Sequence, residues 1–87
     1  MALKSDFQKA AKDVQKLSKR PSDKELLNLY GLYKQATVGD VAGPKPGLLD
    51  FKAKAKYQAW SALKGTSEEE AMKNYVASVK KLQAQLG

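Results

Sequence analysis

Residues 30–56 read YGLYKQATVGDVAGPKPGLLDFKAKAK and decide the fold of this chain. In the middle of this stretch, closely spaced glycines and prolines predict an ordered loop over residues 38–49, since both residue types interrupt helices and strands. These loop residues are Gly39, Gly43, Pro44, Pro46 and Gly47. Apolar residues recur at helical spacing on both sides of the loop. The stretch therefore predicts two helices joined by a Gly/Pro loop.

The helix before the loop starts with a capping signal and ends near Gly39. Ser22 followed three residues later by Glu25 forms a capping box, in which each side chain satisfies a backbone N–H group of the other residue. The apolar positions of this helix are Leu26, Leu27, Leu29, Tyr30, Leu32 and Tyr33.

A further helix is predicted upstream. It begins at Ser5, with Gln8 as its capping-box partner, and stops before Arg20, because the residue before Pro21 is disfavoured in helical geometry. Its apolar stripe consists of Phe7, Ala10, Ala11, Val14 and Leu17.

Downstream of the loop the pattern predicts two helices. Asp50 caps the third helix, which ends at Gly65, and Thr66 and Ser67 offer overlapping caps for the fourth. The apolar face of the third helix is Phe51, Ala55, Ala59 and Ala62, and that of the fourth is Met72, Tyr75, Val76, Val79, Leu82 and Leu86. Two-residue alternation of the strand type is missing, so the predicted fold is all-α, a four-helix bundle with a Gly/Pro loop between helices two and three.

Length and composition place this bundle in a broad class. Eighty-seven residues make one domain, 1–87, with a single core, and without cysteine that core holds with no disulfides. The N-terminal MALKSDFQ lacks the apolar run of a signal peptide, and no run is long enough to span a bilayer. We therefore expect a soluble cytoplasmic protein. A net charge of +7 favours an anionic partner.

Several chemistries are excluded by residue type. With no histidine and no cysteine, the chain cannot build Ser-His-Asp or Cys-His arrangements or the usual zinc sites. The carboxylates of Glu68, Glu69 and Glu70 are better explained as stabilising a helix N-terminus than as acid–base catalysts. Gly-rich phosphate loops are missing as well. We expect binding without catalysis, with no catalytic residue, metal or cofactor.

Tyrosines and lysines of helices two and three form the candidate site. Tyr30 lies three residues before Tyr33 and four before Lys34, which places two rings and an ammonium on one side of helix two. Lys52 and Lys56 are likewise four apart on helix three. Each residue taken alone is better explained as core packing or a solvated face, and only the combination favours a ligand site.

In order and spacing, these residues resemble the acyl-CoA-binding protein family. The resemblance is carried by YGLYKQATVGD, VAGPKPGLLD and FKAKAK, continues through KGTSEEEAMKNY (64–75), and extends more weakly to FQKAAKDV (7–14). It implies a carrier that binds long-chain acyl-CoA and performs no chemistry on it. Tyr30, Tyr33, Lys34 and Lys56 would then surround the adenine and the 3′-phosphate, with Lys52 and Tyr75 at the rim. The acyl groove would be lined by Leu26, Leu27, Ala11 and Val14.

Two positions depart from many animal members of that family. Gln15 stands where they have a lysine, and it can hydrogen-bond a phosphate without neutralising it. Lys12 and Lys19 lie nearest its side of the helix and can partly substitute. Tyr57 stands where a tryptophan is common, and Trp60 is expected in the core of helix three.

Two other classes of function remain open for a small basic helical module. Nucleic-acid binding is disfavoured because lysines alternate with acids, arginine occurs once, and no helix offers a run of base-reading side chains. Docking on anionic membrane surfaces by a lysine-bearing amphipathic helix is expected as a secondary behaviour of a carrier. The expected partners are long-chain acyl-CoA and, transiently, membranes or acyl-CoA-using enzymes, with the protein a monomer that binds no nucleic acid.

Overall fold

The helices account for most of this protein. A computed structural model describes residues 3–43, 45–47 and 49–87. Within these residues it contains no β-strand, and its helices are α1 (Leu3–Asp13), α2 (Asp23–Thr37), α3 (Phe51–Ser61) and α4 (Glu68–Leu86), with a 3-10 turn at Val14–Lys16. None of these described helices is both long and apolar enough to cross a bilayer. The all-α prediction is confirmed.

The three later helices begin where their capping signals predict. At the start of α2, the Ser22 hydroxyl accepts a bond from the Glu25 N–H (3.2 Å), and the Ser22 N–H donates to the Glu25 carboxylate (3.0 Å). Asp50 and Ser67 each accept a backbone N–H bond from three residues downstream, at 3.2 and 3.1 Å. Of the two caps predicted for α4, Ser67 is the one formed.

The first helix differs from its prediction at both ends. It begins at Leu3 and not with Ser5 as its cap. Leucine and lysine are good helix formers and Leu3 is half-buried, so the helix extends beyond the capping signal. The α-helical geometry ends at Asp13 and tightens into the 3-10 turn, several residues before Pro21. Its apolar stripe still packs as predicted. Phe7 and Ala10 are buried in the core, and Ala11, Val14 and Leu17 pack against it.

The loop between α2 and α3 contains no helix or strand in the part that the structure describes, residues 38–43, 45–47 and 49–50. Pro44 lies outside the described residues. Gly39 and Gly43 have φ angles of 98° and 92°, a region in which a Cβ atom is unfavourable. The glycines therefore allow the chain to turn away from the end of α2.

One core joins three of the helices. Helix α1 packs on α4, α4 packs on α2, and α2 packs on α3. The core residues come from α1, α2 and α4: Phe7, Ala10, Leu29, Leu32, Ala36, Ala71, Tyr75, Val79 and Leu82. Among the described residues α3 contacts no helix other than α2. Trp60 is the one buried residue of α3. It lies on the side of α3 that packs against α2, in agreement with the core position expected for it.

This peripheral position of α3 changes the role of its apolar face. Phe51 is 73% exposed and Ala62 is exposed, so the face predicted for α3 is not packed as core. Helix α3 instead approaches α2 closely at Gly31, where an added Cβ would lie 2.7 Å from the carbonyl oxygen of Ala59. Only a glycine permits this distance between the two helices.

We expect Gly31→Ala to destabilise the protein by about 1–3 kcal/mol, because the methyl group overpacks the contact with the α3 backbone. This outcome opposes helix propensity, which favours alanine by about 1 kcal/mol. Urea unfolding measures the difference. Asn28→Ala, at an exposed position of the same helix, is the control. A Gly31→Ala variant as stable as the wild type would contradict the assigned close approach.

Candidate functional site

A cavity of about 420 Å³ opens between α2 and α3, and we call it the α2–α3 cavity. Its walls are mainly apolar and its charged groups are chiefly cationic. The lining residues are Arg20, Asp23, Leu26, Leu27, Tyr30, Phe51, Lys52, Ala55 and Lys56. Such a cavity suits an elongated apolar group with a negative charge at one end.

A second cavity, of about 460 Å³, lies between α1 and α2, and we call it the α1–α2 cavity. Three tyrosine rings and aliphatic side chains form its walls, with one amide. The lining residues are Ala11, Val14, Gln15, Leu26, Leu29, Tyr30, Tyr33 and Tyr75. Aromatic faces and hydroxyl groups of this kind suit a flat heteroaromatic ring.

The two cavities lie side by side across α2 and have Leu26 and Tyr30 in both walls, and we call the two together the groove. All of the residues predicted for the site line one of the two cavities, except for Lys34. Ala11 and Val14, predicted to line the acyl groove together with Leu26 and Leu27, lie in the α1–α2 cavity, whereas Leu27 lies in the α2–α3 cavity. Sequence reasoning did not assign Phe51, Ala55 or Arg20 to the groove. The first two follow from the apolar spacing of α3, once α3 is known to pack on α2 alone.

Tyr30 and Lys56 meet where the two cavities join. The Lys56 ammonium lies 5.4 Å from the centroid of the Tyr30 ring. A cation over an aromatic face is attracted by the ring quadrupole, which holds the lysine near the groove without neutralising it. Lys56 is otherwise exposed. Its charge therefore remains available for a phosphate at this point.

Lys34 lies outside both cavities and packs against α3. Its ammonium sits 5.1 Å from the centroid of the Trp60 ring. The indole N–H of Trp60 donates a 2.7 Å bond to the carbonyl of Gly39, at the start of the loop. Trp60 of α3 thus contacts both the end of α2 and the start of the loop. Its buried ring also supports the Lys34 side chain.

An aromatic cluster holds the tyrosines of the α1–α2 cavity. The Phe7 ring lies 5.4 Å from Tyr33, nearly parallel to it, and 5.0 Å from Tyr75, edge to face. Tyr75 is 4% exposed and belongs to the floor of the cavity and not to its rim. Burial, together with the nearby Tyr33, raises the pKa of Tyr75. Its hydroxyl, protonated at neutral pH like that of any tyrosine, therefore also resists ionisation in more alkaline solution.

A polar network supports the end of α2 behind the site. Gln35 is 1% exposed, and its amide donates to the Asp40 carboxylate (2.9 Å) and to the carbonyl of Thr66 (2.7 Å). The Gly65 N–H also donates to Asp40, at 2.8 Å. Gln35 lies three residues after Leu32, so the helical spacing places this polar side chain at a core position. Because buried polar groups need hydrogen-bond partners, that position is the signal that could have identified this network.

The network makes stability depend on acid pH. The Gly65 N–H and the Gln35 amide hold the pKa of Asp40 below its usual value of 3.8. A lowered carboxyl pKa adds stability that is present above the unfolded value and lost as pH falls through the folded value. We expect Asp40→Asn to reduce the loss of unfolding free energy below about pH 4. Urea unfolding between pH 2 and pH 6 tests this, and an unchanged slope would contradict it.

Few of the cations are neutralised by acids. Among the described residues the one ion pair is Arg20–Asp23, at 3.0 Å and exposed on both sides.

Gln15 is the polar residue that the 3-10 turn supplies to the α1–α2 cavity, whereas Lys12 and Lys19 are exposed and outside its lining. No group of three acids in the described part of the chain is arranged to bind a metal.

Comparison with known proteins gives one consistent result. The family described as "Acyl CoA binding protein" matches residues 4–79. An acyl-CoA-binding protein of Brassica napus is 51% identical over 82 residues, which cover 94% of this chain and 89% of the relative. The crystal structure of Oryza sativa acyl-CoA-binding protein 2 superposes with a TM-score of 0.91 at 42% identity, covering 95% of this chain and 92% of the rice chain. The solution structure of the yeast acyl coenzyme A binding protein gives a TM-score of 0.73 at 50% identity, covering 92% and 93%.

Proposed function

This chain belongs to the acyl-CoA-binding protein family, and from that premise we propose that it binds long-chain fatty acyl-CoA thioesters and carries them through the cytoplasm. Residues 1–87 act as one ligand-binding domain, as a monomer and without catalysis. The observation that carries this proposal is the pair of adjacent cavities, one lined by aromatic rings and the other largely aliphatic, with Tyr30 in the walls of both. An amphiphile with a nucleotide head and an apolar tail matches both halves.

In this proposal the head group occupies the α1–α2 cavity. The adenine ring packs against Tyr30 and Tyr33, above the buried floor formed by Tyr75. The phosphates extend out of this cavity towards Lys56 and Lys52, which line the neighbouring α2–α3 cavity, and towards Lys34, which lies outside both. Lysine suits them because it presents a compact charge with three donors. Gln15 contributes an amide hydrogen bond from the 3-10 turn.

The acyl chain occupies the α2–α3 cavity. Leu26 and Leu27 form its α2 wall, and Phe51 and Ala55 form its α3 wall. Burial of a methylene is worth about 0.8 kcal/mol, so a chain of about fifteen methylenes supplies on the order of 10 kcal/mol before the costs of association. The chain therefore sets the affinity, and the head-group contacts set the requirement for CoA.

Competing functions are less well supported by the same features. Nucleic-acid binding would use an exposed basic stripe, whereas here three tyrosines line a cavity whose other walls are mainly aliphatic. Transient contact with membranes, or with enzymes that use acyl-CoA, agrees with a carrier whose ligand is exchanged. We include such contact in the proposal as secondary to ligand binding.

We expect Lys56→Ala and Lys34→Ala each to weaken palmitoyl-CoA binding by about 1–3 kcal/mol, the scale of a hydrogen bond to a charged group. The stability of the fold should change little in Lys56→Ala, because Lys56 is exposed. Isothermal titration calorimetry gives the affinities, and circular dichroism checks the fold.

The matched control is Lys73→Ala, which removes an exposed charge on α4 away from both cavities. Its affinity should equal that of the wild type. A ligand lacking the 3′-phosphate should erase most of the difference between wild type and Lys34→Ala. Full affinity in both site variants, or equal losses in Lys73→Ala, would overturn the phosphate assignment.

A further inference from the structure

Leu49 and Phe51 are the two most exposed of the large apolar side chains that the structure describes, at 87% and 73%. They lie within two residues of each other, at the end of the loop and the start of α3. Adjacent exposed apolar residues of this size are unfavourable in water and mark a surface that meets an apolar environment.

One member of this apolar pair, Phe51, borders the α2–α3 cavity. Phe51 lines the α2–α3 cavity and at the same time presents most of its ring to solvent. Leu49 precedes it and lines neither cavity. A surface that received the exposed part of Phe51 would therefore also lie against the α2–α3 cavity, the proposed acyl site.

Charge is distributed unevenly along α3. Residues 45–57 contain four lysines, at 45, 52, 54 and 56, against a single acid, Asp50, which is engaged as the helix cap. The second half of α3, residues 57–61, contains no charged residue. The basic half of α3 is thus the half that begins with the exposed Phe51.

We propose that Leu49 and Phe51, with the lysines around them, form a docking surface for bilayers containing anionic phospholipid. The apolar side chains enter between head groups while the ammonium groups stay at the level of the lipid phosphates and carboxylates. Two side chains are too small an apolar area for a stable protein interface, which favours the bilayer as occupant. This inference rests on the proposed function, since docking in this orientation lets an acyl chain pass between the bilayer and the α2–α3 cavity.

The test is binding of the ligand-free protein to vesicles, measured by sedimentation. Wild type should bind vesicles of phosphatidylcholine with about one third phosphatidylserine, and bind pure phosphatidylcholine and high-salt samples much more weakly. Leu49→Ser should lower the partition coefficient about tenfold, because a buried leucine contact is lost. Its palmitoyl-CoA affinity without vesicles should be unchanged, since Leu49 lies outside the groove.

Val38→Ser is the matched control, because Val38 is also an exposed apolar residue, at 54%. Val38 adjoins Gly39, whose carbonyl accepts the hydrogen bond from the Trp60 indole. Trp60 lies near the far end of α3, about 14 Å along the helix from Phe51. Vesicle binding of Val38→Ser should match that of the wild type. Equal losses in both variants, or no wild-type binding to anionic vesicles, would overturn the docking surface. Titration of wild type with palmitoyl-CoA in the absence of vesicles separates that result from a failure of the proposed function.

Discussion

Lengthening the acyl chain of the ligand from about four to about sixteen carbons is expected to raise the affinity by several orders of magnitude. Each added methylene that enters the α2–α3 cavity leaves water, at about 0.8 kcal/mol, until the cavity is filled and the affinity levels off. Ordering of the chain offsets part of this gain. Calorimetry with a series of acyl-CoA ligands measures the slope, and free CoA should be the weakest member. A flat series in the wild type would contradict long-chain carriage.

The same series locates the chain within the protein. Leu27 lines the α2–α3 cavity and is half-buried, so Leu27→Trp should fill space that distal carbons occupy. Long chains should then lose more affinity than short ones. If Leu27 serves only the packing of α2, the variant would instead lose stability and bind all chain lengths with the same relative loss.

The largest expected effect on stability is that of Trp60→Ala, about 3–5 kcal/mol. The substitution leaves a cavity between α2 and α3, removes the indole bond to Gly39 and withdraws the ring beneath Lys34. A domain of this size has a total unfolding free energy of about 5–15 kcal/mol, so much of the native stability would be lost. Urea unfolding measures the loss.

Two comparison variants make the Trp60 result interpretable. Trp60→Phe keeps an aromatic ring beside Lys34 but removes the N–H donor, so we expect a smaller loss of about 1–2 kcal/mol. Gln58→Ala, at an exposed position of α3, should be nearly neutral. If Trp60→Ala were as stable as Gln58→Ala, Trp60 could not be the residue that joins α3 to α2.

The sequence was sufficient for the all-α fold and for the starts of three helices, because these depend on local patterns. Ser22, Asp50 and Ser67 are followed closely by the backbone groups that they cap, so the starts of three helices are encoded within a few residues. The lysines and tyrosines of the groove were assigned through the family resemblance, and helical spacing places them on facing surfaces of neighbouring helices.

What the sequence could not predict depends on which helices meet. Phe51 occupies an apolar position of α3, yet only the packing of α3 on α2 alone shows that this position borders an open cavity. The polar bonds of Gln35 reach a residue 31 positions later in the chain, which no local pattern specifies. The close approach at Gly31 likewise depends on the backbone of a different helix. Long-range contacts of this kind decide the shape of the site.

Titration calorimetry with palmitoyl-CoA, free CoA, palmitate and a DNA duplex, each against the wild-type protein, tests the central claim most directly. The groove predicts tight binding of palmitoyl-CoA, weak binding of free CoA and of palmitate, and no comparable binding of DNA, because head and chain must occupy the two cavities together. Tight binding of the DNA duplex with no binding of palmitoyl-CoA would contradict the account.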